Sequence, residues 1–342
     1  MKKTRLKILS YCLFGSILLV LALYVIASFT NLQPKGFLRK LRSHQIKGLK
    51  FIKRSNTYAY FAGNTDSLIY FGDKAKRSNF FNLNFITNDT GSVRINGFDT
   101  MKFTLGGYLR TDVSSLYLFD GNKPAIMVGD AKTGRILQKL RSPYFTNALH
   151  ISANSFLLKT SAKKKNNLLI KFSNGKLGRS YLLEEQGDGI FSTDGILLKV
   201  PNSSKIFYVY FYRNQFLCLD TNTTLLYKGK TIDTVSHANI KVVTIKSLHQ
   251  ITMASPPVYV NEQCAANENY LFIHSALQAD NETNEVTNSS SAIDVYRVAD
   301  GKYVSSFYIS DFAGEKMRDF RVSGKILIAM FDNYIYKYQL EF

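Results

Sequence analysis

The sequence predicts an all-β fold: a six-bladed β-propeller over residues 55–342, preceded by one N-terminal transmembrane helix. Three observations predict it. Strand pairs recur at spacings mostly near 40–50 residues, no long helical period interrupts them after Ser55, and residues 8–29 form one uncharged apolar run. Because the spacing is irregular, seven blades or a β-sandwich stand as alternatives.

Residues 1–7, with Lys2, Lys3, Arg5 and Lys7, read as a cytoplasmic tail. Ile8–Phe29, ILSYCLFGSILLVLALYVIASF, gives 22 residues without a charge. As a helix that run spans about 33 Å, enough for the hydrocarbon core. A cleaved signal peptide is the alternative, with Val25-Ile26-Ala27 as its cleavage site; the length of the apolar run favours an uncleaved anchor. Four cations precede the run and six lie within residues 31–50, so charge alone does not orient it. A long folded domain translocates with little regard to charge, which puts the N-terminus in the cytoplasm and the domain outside. Residues 30–54 are a basic connector. Leu38, Leu41, Ile46, Leu49 and Ile52 have a ragged helical spacing that suits a membrane-surface helix; a solvated linker that becomes a strand near Leu49–Ile52 fits equally.

The clearest strand pair is Lys205–Asp220, KIFYVYFYRNQFLCLD, two β-branched and aromatic runs around a polar turn at Arg213-Asn214-Gln215. Five weaker copies are read at Tyr58–Ala62 with Ser67–Phe71, Ser115–Phe119 with Ala125–Val128, Ser155–Lys159 with Leu168–Phe172, Tyr270–His274 with Ala292–Val298, and Ile326–Phe331 with Tyr334–Leu340. The second strands are separated by 58, 43, 48, 77 and 41 residues. The longest gap holds an acidic, Asn/Ser-rich insertion, Gln278–Ser291, and an extra strand-like stretch, Lys241–Met253. An early strand that completed the last blade would remove an exposed edge.

The turn Gly129-Asp130-Ala131-Lys132-Thr133-Gly134-Arg135, with a shorter version at Val298–Lys302, resembles the strand-end turn of quinoprotein-like propellers. The hairpins resemble six-bladed propellers of the NHL and TolB-like types, and the chain is similar to single-pass bacterial envelope proteins with a propeller-like domain. That resemblance implies a propeller over residues 55–342 and an envelope address. The quinone cofactor of some relatives would need tryptophan, and this chain has none.

The net charge of +19 invites a nucleic-acid reading, but its distribution excludes one. The first acid is Asp66, and twelve cations precede it; from Ser55 onward 32 cations face 25 acids. The excess therefore flanks the apolar run, where cations meet anionic headgroups. Three cysteines make no disulfide framework. Cys12 lies in the apolar run, and Cys218 and Cys264 read as a buried strand thiol and a loop thiol, or as a pair in an oxidising compartment.

The five histidines are scattered singly, without HxH, HExxH or CxxC, so no catalytic, cofactor-binding or metal residue is assigned and no cofactor is expected. The acid-rich stretches Glu184–Gly189 and Asp280–Glu285 read as solvated loops better than as calcium loops. Asn147, Asp194 and Asp319 sit where channel-metal ligands would fall in a propeller hydrolase. Gly106-Gly107 lacks the following helix that a phosphate loop needs. Pro256–Asn261 is an extended stretch, either a contact surface or a linker between blades. Tyr212, Arg213 and Asn214, an aromatic, a fixed cation and an amide at a hairpin tip, form the one candidate binding surface; an ordinary hairpin tip is the competing reading. The expected function is an extracytoplasmic, membrane-anchored scaffold or accessory subunit for an envelope protein or peptide, with no nucleic-acid partner. The alternative is a channel-site enzyme, a lactonase-like metal hydrolase, or a small-ligand sensor.

Overall fold

A computed structural model describes residues 2–30, 36–42, 45–53, 59–65, 67–112, 114–161, 167–187, 190–248 and 250–341. Ser55, Tyr58, Asp66 and Gly189, named above, and His44 and His249, two of the five histidines, lie outside the described residues. Helix α1 (Lys2–Thr30) contains the uncharged run. Its described side chains, Lys7 and Tyr11–Tyr24, are exposed, and no helix among the described residues is long and apolar enough to cross a membrane.

Strand β1 (Ile46–Lys53) comes next and, with the strands after it, makes up six four-stranded antiparallel sheets and one extra hairpin among the described residues. Blade 1 is β2 (Ala59–Asn64), β3 (Leu68–Asp73), β4 (Asn79–Asn84) and β5 (Thr90–Arg94). Blade 2 is β6 (Tyr108–Thr111), β7 (Ser115–Asp120), β8 (Ala125–Asp130) and β9 (Ile136–Arg141). Blade 3 is β10 (Asn147–Ser152), β11 (Ser155–Ser161), β12 (Asn167–Ser173) and β13 (Lys176–Leu182). Blade 4 is β14 (Gly195–Lys199), β15 (Lys205–Tyr210), β16 (Gln215–Asp220) and β17 (Leu225–Lys230). The extra hairpin, β18 (Val242–Ile245) with β19 (Gln250–Met253), stands in the connection to blade 5. Blade 5 is β20 (Asn261–Ala266), β21 (Tyr270–Ser275), β22 (Ser290–Arg297) and β23 (Tyr303–Ser310), with the short helix α2 (Asn284–Ser289) between β21 and β22. Blade 6 is β24 (Asp319–Ser323), β25 (Ile326–Met330) and β26 (Tyr334–Leu340), and β1 supplies its outer strand. The closing ladder runs from Ile46 opposite Leu340 to Lys53 opposite Tyr334.

The apolar core lies between blades, one cluster to each interface. Phe207 and Val209 of β15 face blade 5, whereas Ile206, Tyr208 and Tyr210 face blade 3. A second or third strand is thus covered on both faces, and period-2 alternation gives way to a continuous apolar run. The other clusters join blades 5 and 6, 6 and 1, 1 and 2, and 2 and 3, so the ring is closed. Where inner elements crowd, glycine is required: a Cβ on Gly63 would stand 1.9 Å from the Thr111 carbonyl oxygen.

Several sequence readings change. Tyr58–Ala62 with Ser67–Phe71 corresponds to the first and second strands of blade 1, whereas the other five pairs are second and third strands; the matching pair is β3 with β4. Its centre near residue 81 brings the first gap from 58 to about 46. Cys264 lies in β20 rather than in a loop. Cys218 and Cys264 are both buried and free. The connector does form the strand expected near Leu49–Ile52, as β1, but ahead of β1 its described residues are neither a surface helix nor a solvated linker. Its Phe37 and Arg39 are buried, and its residues 36–41 form an extended strap held by the acidic insertion.

Asp280 accepts the Gly36 amide on both oxygens at 3.1 and 3.0 Å, and Asn281 accepts the Arg39 amide at 3.0 Å. The Arg39 guanidinium donates to Asp294 at 2.9 Å, to Glu282 and to the Leu277 carbonyl at 3.0 Å. Phe37 packs on Val260, Leu277 and Ala279. The insertion expected to be solvated is thus a clamp.

Next to the clamp, burial, and then the cations of Arg39 and Lys316, push the His274 imidazole down to about 4. An unfolded histidine takes its proton near pH 6.5, so the unfolded state binds more protons between 6.5 and 4. Stability is therefore expected to fall by up to about 3 kcal/mol as pH drops through that window. Glu262, whose pKa burial raises, takes up a proton in the folded state and offsets part of this loss. Urea midpoints at pH 7 and pH 4.5 check it: the wild type should lose more than the His274→Gln variant.

Candidate functional site

In each blade the turn between the second and third strands lies on the same face as the connection to the next blade. On this face, blade 2 carries a cavity of about 230 Å³ lined by Gly106, Tyr108, Gly121, Asn122, Tyr144, Phe145 and Thr146. Three chain segments build it. Asp120 ends β7 and accepts from the Thr104 amide at 2.8 Å, the Thr104 hydroxyl at 2.6 Å and the Lys123 amide at 3.1 Å. Burial pushes the Asp120 carboxyl up, but these hydrogen bonds outweigh it and hold its pKa below the usual value. The Thr104 carbonyl accepts from Arg77. With Thr104 bound at amide, hydroxyl and carbonyl, the next residue, Leu105, projects into solvent with 89% of its surface exposed. Gly106-Gly107 then returns the chain to β6, passing so close to the Phe103 ring that a Cβ on Gly107 would stand 2.4 Å away.

The far wall is the connection from blade 2 to blade 3. A Cβ on Gly121 would meet the Phe145 carbonyl oxygen at 1.9 Å, so only glycine lets these segments touch. Tyr108 accepts from the Ala148 amide at 2.8 Å and sits under Arg110, whose guanidinium lies 4.9 Å from the ring centre. Burial drives the Tyr108 pKa up to about 12 and keeps the phenol neutral. Tyr144 stands half exposed on the rim. A cavity lined by both polar and aromatic side chains, with an exposed leucine beside it and Tyr144 at its edge, suits a side chain of a bound protein or peptide.

Tyr212, Arg213 and Asn214, expected to present a surface, are buried. The connection after blade 4 covers them: Asn214 receives its carbonyl partner from Val235, and the Asn261 amide donates to the Arg213 carbonyl at 3.2 Å. The Arg213 guanidinium lies 3.6 Å from the Tyr210 ring centre and donates to the Glu184 carbonyl at 2.9 Å. These contacts knit blade 4 to its neighbours. Of the candidate channel ligands, Asp194 is ion-paired with Lys159 and Asp319 with Arg321 at 2.7 Å, while Asn147 lies 3.4 Å from the Tyr108 hydroxyl. Among the described residues no group of three or more metal-ligating side chains converges.

The structure does join three groups that no spacing announces. On the other face, the Tyr117 hydroxyl lies 2.9 Å from His150 Nε2 and 3.2 Å from Asp112, and His150 Nδ1 lies 3.5 Å from the same carboxylate. Burial lowers the His150 pKa. They come from β10, β7 and the residue after β6, so only the fold could reveal them.

No protein-family model matches the sequence. No curated protein matches it either. Among solved structures, a member of the DUF4221 family from Bacteroides vulgatus is similar, with a TM-score of 0.55 at 10% identity, over 88% of this chain and 99% of that one. A Bacteroides fragilis protein described as exported gives 0.54 at 11% identity, over 90% and 99%. The chain is a six-bladed β-propeller. At such identities the likeness of the two propellers to this one is a likeness of fold.

Proposed function

We propose that this propeller is a binding scaffold in the bacterial envelope, tethered by α1 to the outer side of the cytoplasmic membrane and docking a protein or peptide at the blade 2 cavity. The observation that carries the reading is Leu105: an apolar side chain left largely exposed next to the pinned Thr104, beside a cavity that can seat a partner's side chain. The tether reading draws on the 22 uncharged residues within α1 and on the cations that flank them. The strap supports it, since Arg39 and Phe37 fasten the propeller to the chain a few residues beyond α1.

Crosslinking in intact cells with a C-terminal tag tests the proposal. A stoichiometric envelope protein should co-purify from the membrane fraction. In the L105D/Y144A double variant it should be lost, with affinity down by about 2 kcal/mol, roughly 30-fold. Both positions are exposed, so the melting temperature should stay unchanged. A wild-type protein that purifies alone, or a partner indifferent to the double variant, would count against the scaffold. A second reading, small-ligand sensing or catalysis, draws on the Asp112–His150–Tyr117 cluster, where a neutral imidazole lies between a phenol and a carboxylate.

A further inference from the structure

The hairpin β18–β19 belongs to no blade. Lys241 and Lys246 bracket β18, and Val242 and Val243 within it are exposed by 41% and 47%. On the same connection, Val258 and Tyr259 are exposed by 51% and 42%. Val242 and Val243 point to opposite faces of this two-stranded ribbon, so each face carries one exposed valine, with a lysine at each end of β18 and the amphipathic Tyr259 on the same connection.

What covers this surface is indicated by the strap. The hairpin's connection lies on the same face of the ring as the clamp. Its base, Ile232 and Val235, packs beside Phe37, and Val260 at its far end is in the same cluster. A Cβ on Gly36 would touch the Thr234 methyl at 3.5 Å. Gly36 is six Cα steps from Thr30, the last residue of α1, so the helix end lies within about 25 Å of the base of the hairpin's connection. The carboxylates at the strap, Asp280, Glu282 and Asp294, are engaged by the Gly36 amide and by Arg39, and the lysines of the hairpin carry the charge that suits an anionic surface.

We infer that the β18–β19 hairpin, with Val258 and Tyr259, rests in the headgroup region of an anionic lipid bilayer and tilts the propeller by its blade 4–blade 5 side toward the membrane. The inference rests on the tether reading of α1. In this pose the blade 2 cavity, two interfaces round the ring, is raised away from the bilayer.

The absence of tryptophan makes the test direct. The full chain carrying V243W is placed in nanodiscs of phosphatidylglycerol and phosphatidylethanolamine, with or without brominated acyl chains; V242W is a second reporter on the same strand. L177W is the control, because Leu177 is exposed at the turn between β12 and β13, on the opposite face. Brominated lipid should quench the reporter on the bilayer-facing side of the ribbon, V243W or V242W, about twofold, as expected of an interfacial segment, and leave L177W unquenched. Adding K241E/K246E should weaken the quenching, since each lysine is attracted to anionic lipid. Insertion of the chain with no quenching at either hairpin reporter would refute the hairpin contact alone, and point to a protein on that surface instead. Failure of the full chain to enter nanodiscs would overturn the tether reading and this inference with it.

Discussion

Replacing Arg39 with alanine should destabilise the protein by about 3–5 kcal/mol, the cost of breaking a buried ion pair by removing one partner. Asp294 and Glu282 would be left facing one another in a site where both side chains are 2% exposed. The Leu277 carbonyl would lose its donor, and Phe37 would lose the guanidinium 5.2 Å from its ring centre. Denaturant midpoints measure the loss. The triple variant R39A/E282Q/D294N should recover part of it, because the orphaned charges go with the cation. If the single and triple variants were equally unstable, packing rather than charge would hold the strap. Limited proteolysis adds a local readout: R39A should be cut between residues 36 and 42, where the wild type is protected by the clamp.

Deleting residues 46–53 should be the more severe change. The outer edge of β26 would be exposed from Tyr334 to Leu340, and a bare strand edge recruits other chains. Several ladder hydrogen bonds at about 1 kcal/mol each approach the whole margin of a marginally stable domain. The ring contacts of Phe51 with Phe312, Tyr334 and Tyr336 go as well. Size-exclusion chromatography should find soluble aggregate in place of monomer, and a peptide of residues 45–53 added during refolding should restore some monomer. A monomeric, cooperatively melting deletion variant would show that blade 6 needs only three strands.

The blades were legible wherever a strand is covered on both sides. Ile206–Tyr210 and Leu116–Phe119 read as unbroken apolar runs because a neighbouring blade lies against each face. Blade 1 was misread because β4, NFFNLN, has asparagine at three of its six positions, which dilutes the run. The outer strands hid for a related reason. The β13 sequence KLGRSYL is mostly exposed and carries little pattern.

The strap was illegible because its meaning lies at a distance. Arg39 looks like one cation among twelve until Asp294, 255 residues away, is brought to 2.9 Å. Tyr212–Asn214 misled in the opposite direction. A polar hairpin tip reads as exposed, and nothing local announces that the connection through Val235 and Asn261 folds over it. The Gly106-Gly107 pair was visible, but its purpose required the Phe103 ring and the pinned Thr104 beside it.

The closing ladder also sets a timetable. On a chain synthesised from its N-terminus, β1 is the first strand to emerge and its partner β26 the last, with nearly the whole propeller between them. Blades 1 to 5 contain only near-neighbour hairpins, which form early and locally, whereas the seam waits on the longest loop the chain can make. Until it shuts, Ile46–Lys53 is an unpaired, lysine-studded strand, and those lysines discourage it from pairing with a neighbouring molecule in the interval. The slowest event in folding should therefore be the joining of the two ends. A chaperone that guards this protein while it is being made would have one strand to hold, the first to emerge.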